Sequence, residues 1–179
     1  MEWNLDYFFK SEMEFTEEIE KVKKLLEELL KMNKSISSSL ELEKILTLRW
    51  HIKELSNNIL IYGSLSYYKN VHSEECIKLK KQAEEFNNEV DTALKKIDTN
   101  ILDLGWDNID SFIHENDNLK PYYFGLSNLF RLRTHQKDEE TNQKIKIEKD
   151  NINQKLSVYN TKLRDIKYGN IKVDDEDVS

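Results

Sequence analysis

Turn-forming residues are scarce: four glycines and one proline in 179 residues. A sandwich or barrel needs many tight turns, and five breakers cannot build them. Cysteine occurs once, at Cys76, so neither an intrachain disulfide nor a cysteine-based zinc site can form. No stretch approaches the roughly 18 apolar residues of a membrane span. The opening Met1-Glu2-Trp3-Asn4-Leu5-Asp6 lacks the basic flank and apolar segment of a secretion signal. Positive charge is in deficit, with 27 Lys and Arg against 34 Asp and Glu, a net charge of −7. Phosphates repel such a chain, which argues against a nucleic-acid partner. These absences point to a cytoplasmic helical protein that binds neither membrane nor nucleic acid.

What is present is helical periodicity. Apolar side chains fall at Phe15, Ile19, Val22, Leu26 and Leu29, in steps of 4, 3, 4 and 3, which keeps one stripe on one helical face. Ser11 with Glu14, and Ser38 with Glu41, carry the spacing of a capping box, in which a serine and a glutamate satisfy first-turn amides. A second helix follows to about Tyr68, striped by Leu42, Ile45, Arg49, Ile52, Leu55, Ile59 and Tyr62, with Gly63 inside it. A third runs through Cys76, Leu79, Ala83, Phe86, Val90, Ala93 and Ile97. After Leu104-Gly105-Trp106 a short helix holds Ile109 and Ile113, and Pro121 suits the first turn of another. A last helix carries Ile145, Ile152, Leu156, Tyr159 and Leu163. The fold expected is all-α, an antiparallel up-and-down array of about five or six helices over residues 1–165. Residues 166–179 read as a short strand or hairpin, or as a frayed acidic tail.

No motif supplies chemistry. A helical zinc-peptidase site needs His-Glu-x-x-His, which sets two imidazoles one turn apart with a general-base glutamate between them. His51, His72, His114 and His135 each lack a second histidine four residues on. Cys76 falls on an apolar stripe and reads as a buried structural thiol. The isolated glycines form no phosphate loop. No catalytic residue, metal ligand or cofactor is therefore assigned.

Two clusters stand out. Tyr62, Tyr67 and Tyr68 read as core and boundary packing. The run from Tyr122 to His135 is dense in aromatics and ends in two arginines and a histidine. On a helix Arg131 and His135 share one face, as do Tyr123 and Ser127. Leu126, Leu129 and Leu132 would then pack inward. Tyr123, Arg131, Arg133 and His135 become candidates for holding a peptide or partner, because an arginine fork can grip a carboxylate or carbonyl at two points.

The ordered set of segments resembles a known family. Trp3-Asn4-Leu5-Asp6-Tyr7-Phe8-Phe9 is similar to the opening of oligoendopeptidase F enzymes, bacterial-type zinc peptidases related to thimet oligopeptidase. Ile59 to Leu65 resembles a helix carrying that family's Tyr-Ala-x-Leu pattern. Asp110 to Ile113, then Leu119 and Tyr122, then Leu129 to His135 with Glu140, resemble its Arg-x-Arg-x-His segment. Val158 to Leu163 and Ile166 to Ile171 are similar to its passage into a short strand. The family's His-Glu-x-x-His helix has no counterpart here. The resemblance therefore implies the N-terminal helical domain, which borders a peptide channel, with zinc supplied only by a catalytic domain elsewhere. The role it implies is recognition of oligopeptides or docking to a catalytic half, without hydrolysis by these residues. An excised domain and a stand-alone helical interaction or regulatory protein both remain open, as does the oligomeric state.

Overall fold

The computed structural model describes residues 4–33, 36–133, 139–164, 166, 171–173 and 176–178. The chain divides into two compact units, Met1–Thr134 and His135–Ser179. This boundary lies earlier than the change of sequence pattern at residue 166.

The first unit is helical throughout its secondary structure. α1 spans Glu12–Met32, α2 Ser39–Lys69, α3 Glu74–Asp103, α4 Trp106–Glu115 and α5 Tyr123–Leu132. A 3-10 helix, Asp117–Tyr122, joins α4 to α5 and contains Pro121. Pro121 thus precedes α5 instead of opening it.

Serine starts each long helix of the first unit. Ser11 Oγ accepts from the Glu14 amide at 3.2 Å, Ser38 Oγ from Glu41 at 3.3 Å and Ser73 Oγ from Cys76 at 3.3 Å. The glutamates reach back one residue beyond the cap. Glu14 accepts from the Lys10 amide at 2.8 Å, and Glu41 from both the amide and hydroxyl of Ser37 at 2.8 Å. Those bonds stabilise the carboxylate and hold the Glu41 carboxyl below its ordinary pKa.

α2 is the centre of the unit, packing against α1, α3, α4 and the 3-10 helix. From α1 it receives Phe15, Ile19, Val22, Leu26 and Leu29, all buried. Along α3 the buried positions are Leu79, Ala83, Phe86, Val90, Leu94, Ile97, Ile101 and Leu102. Leu94 replaces the expected Ala93, because a stripe on a straight helix drifts with its 3.6-residue period. Cys76 is only half-buried, since it stands in the first turn of α3, above the close part of the contact.

Contacts between α2 and α3 run in opposite sequence order. Gly63 meets Leu79 and Ala83, Ser56 Oγ bonds Asn87 Oδ1 at 3.1 Å, and Lys53 pairs with Asp91 at 2.6 Å. Arg49 pairs with Asp98 at 2.9 Å. Arg49, placed on the apolar stripe by spacing, is therefore the last polar rung of that contact. The two helices run in opposite directions.

Tyr62 is buried, its ring 5.1 Å from Phe9 and 5.4 Å from Phe15. Burial pushes its phenol pKa up, and the Ser66 hydroxyl offsets part of that.

The second unit contains α6, Glu139–Arg164. Ile171–Val173 and Glu176–Val178 pair antiparallel as a two-stranded ribbon, with Ile171 opposite Val178.

Two predictions follow from this packing. A Cβ at Gly63 would lie 2.7 Å from Ala83 Cβ and 3.0 Å from the Leu79 carbonyl oxygen. Gly63→Ala gains about 1 kcal/mol of helix propensity but should lose about 1–3 kcal/mol to overpacking against backbone. Denaturant titration should show net destabilisation, partly restored by Ala83→Gly. For Tyr62, a raised folded pKa means its contribution is intact below the unfolded value of 10.0 and lost as pH climbs above it. Tyr62→Phe should flatten that alkaline fall in stability.

Candidate functional face on α5

The position of α5 is set from α2 through one carboxylate. Glu43 accepts from the side-chain amides of Asn116 at 2.7 Å and Asn118 at 2.9 Å. Asn116 also caps the 3-10 helix, its Oδ1 accepting from the Asn118 amide at 3.1 Å. Leu119 is fully buried at the middle of that turn, and the Tyr122 hydroxyl approaches Thr47 Oγ1 at 3.4 Å. The chain thus enters α5 pinned on two sides of the turn.

Leu126 anchors α5 in the core, with Leu129 and Phe130 partly buried against it. Leu132 was expected to point inward with them; it is 40 % exposed. α5 ends at Leu132, so its final turn projects past the core it packs on. Trp106, opening α4, brackets the helix edge-on: its ring lies 5.9 Å from Tyr123 and 5.4 Å from Phe130. Such edge-to-face pairs fix ring orientation as well as burying area.

The sequence-derived candidates lie at the surface but not on one face, since Arg133 stands about 200° round the helix from Arg131. Tyr123 is half-exposed, and Arg131 and Arg133 are exposed. His135 lies outside the described residues. Arg131 donates to Asn128 Oδ1 through Nη2 at 2.7 Å and Nε at 3.3 Å. That bond holds the guanidinium along the helix without neutralising it, so its charge stays available to an anion.

Spacing alone singles out Tyr123 on this helix and not Phe124. Phe124 is 80 % exposed, the second most open of the large apolar side chains described. One turn on stands Asn128 and two turns on Arg131, and a Cβ at Gly125 would touch nothing within 4 Å. The four-residue step from Phe124 to Asn128 and the seven-residue step to Arg131 were the available signal. The face offers an aromatic ring, an amide and a guanidinium in a row.

Among the described residues no three His, Cys, Asp or Glu side chains are grouped so as to hold a metal ion. His114 sits 3.6 Å from Asp110 and His51 3.7 Å from Glu54, each a neighbour pair on one exposed helix face. Also among the described residues, no helix is long and apolar enough to cross a membrane. Neither a protein-family model, nor a curated protein, nor a solved structure matches this chain.

Glu43→Ala should leave two asparagine amides unpaired and cost about 1–3 kcal/mol. Glu43→Gln, with a single carbonyl acceptor, should recover part of that. Urea unfolding of the three proteins checks the order.

Proposed function

We propose that this chain is a peptide- or partner-recognition domain that uses the outer face of α5 and performs no hydrolysis. The observation that carries the reading is the row of exposed Phe124, half-buried Asn128 and exposed Arg131 along one side of α5. A large aromatic side chain left open beside a guanidinium bonded to a neutral amide is costly to solubility and useful for binding. The occupant that fits is an extended peptide segment. Its apolar side chain covers Phe124, and its carboxylate or carbonyl takes the arginine fork at two points.

The ordered resemblance to the N-terminal domain of oligoendopeptidase F enzymes supports the same reading. In that setting the helices form an antiparallel up-and-down array whose α5 face borders a substrate channel. A catalytic half, bearing the zinc, would be the docking partner, and the complex would work in the cytoplasm. A stand-alone regulatory role is the second reading; it rests on the open face alone and needs no catalytic half.

Fluorescence anisotropy with labelled oligopeptides, bearing either a free or an amidated C-terminus, tests the proposal. Binding should favour the free carboxylate and weaken by roughly tenfold or more in Arg131→Ala, in line with about 1.5–3 kcal/mol for a charge-assisted bond. Stability should change by less than about 0.5 kcal/mol, because Arg131 is exposed. A quenched fluorescent peptide should stay intact with or without added zinc. Loss of stability with unchanged binding would return Arg131 to the scaffold, and turnover sensitive to chelators would overturn the reading.

A further inference from the structure

α6, Glu139–Arg164, is the one helix among the described residues of the second unit. A polar helix is marginal in water by itself, because helical stability in proteins comes mostly from packing an apolar face. α6 has such a face. Ile145, Ile152, Leu156, Tyr159 and Leu163 follow at steps of 7, 4, 3 and 4, the seven-residue repeat of a coiled coil. Ile152, Leu156, Tyr159 and Leu163 are 55 %, 51 %, 59 % and 40 % exposed, so this seam is open. Lys149 occupies the remaining layer between Ile145 and Ile152.

The charges along the seam select its occupant. We infer that α6 pairs with α6 of a second copy of this chain, antiparallel, to form a homodimer. In a parallel pair each residue of the seam faces its own copy, so Lys149 would meet Lys149 in the apolar layer. The flanking Glu148 would then meet Asn153, which carries no charge. Turned antiparallel, Ile152 packs on Leu156 and Ile145 on Leu163, each contact occurring twice by the two-fold axis. Lys149 then lies beside the Tyr159 ring of the other copy, where the ring face attracts an ammonium. Glu148 and Lys162, on the same flank of the seam, face each other across it, again twice. Sliding by one heptad sets Lys149 against Ile152 and runs Leu163 past the start of the opposite helix. The first register therefore has more apolar layers and no cation facing a cation in any layer; on the flank Lys155 meets Lys155 once, at the axis, against two Glu148–Lys162 pairs.

This inference is independent of the α5 face, and its test uses the full chain. Light scattering coupled to size exclusion should give twice the 21.4 kDa chain mass. Leu156→Asp should weaken association at least roughly a hundredfold, since it buries a charge in two central layers. Ile147→Asp, off the seam and 60 % exposed, should leave it unchanged. Glu148→Lys and Lys162→Glu should each weaken the dimer roughly tenfold, and the double variant should restore it. In a Cys76→Ser background, Lys155→Cys lies next to the antiparallel axis and should oxidise to a linked dimer, whereas Lys149→Cys should not. A monomer at submillimolar concentration would overturn the inference, as would a dimer indifferent to Leu156→Asp. Linking through Lys149→Cys in place of Lys155→Cys would overturn the antiparallel arrangement.

Discussion

At Gly63 the backbone of α2 comes so near α3 that a methyl group there would sit 2.7 Å from Ala83 Cβ. That approach fixes one end of the contact between the two longest helices of the first unit. Three polar rungs then follow along it, Ser56 to Asn87, Lys53 to Asp91 and Arg49 to Asp98. Partly exposed pairs of this kind contribute little net energy, because desolvation offsets attraction. Their effect is on register: sliding either helix by a turn separates each cation from its carboxylate. The energy comes from the fully buried layers between the rungs, among them Ile52, Ile59, Val90 and Ile97, each worth about 1.5–3 kcal/mol when withdrawn from water.

The remaining elements of that unit attach to this pair. α1 lays its stripe on α2, and Asn100 of α3 donates to the Asn33 carbonyl at the end of α1 at 3.1 Å. α4 and α5 are ten residues each, too short to persist alone in water. They depend on the buried Ile109, Ile113, Leu119 and Leu126, and on Glu43 gripping the turn between them. A helix held from one side leaves its other side free of packing demands. On α5 that freedom is filled by Phe124 and Arg131, side chains suited to contact with another molecule.

Much of the fold could be read from residue spacing. The serine caps at Ser11 and Ser38 begin helices in the structure, and the α1 stripe is buried residue for residue. Local signals sufficed there because capping and amphipathicity act within one or two turns. What spacing could not supply was the partner of each face. Ser56 is fully buried and Leu55 only partly, because α2 is covered on two sides and its stripe broadens past a single row. Arg49 sat on the stripe with no visible reason until Asp98, 49 residues on, came opposite. The α5 candidates were found as a cluster, but their facing depended on the turn held by Glu43. Leu132 and Phe124 were accordingly misjudged.

The α2–α3 seam is the most stable part of the first unit, and α5 is held on it from one side. Native-state hydrogen exchange measures this directly, since amides that open only with global unfolding mark the most stable unit. The account predicts the slowest exchange in α2 between Ile52 and Ile59 and in α3 between Ala83 and Val90. α5, from Tyr123 to Leu132, should exchange through a cheaper local opening. Equal protection in α5 and the seam, or a seam that exchanges faster than α5, would contradict it.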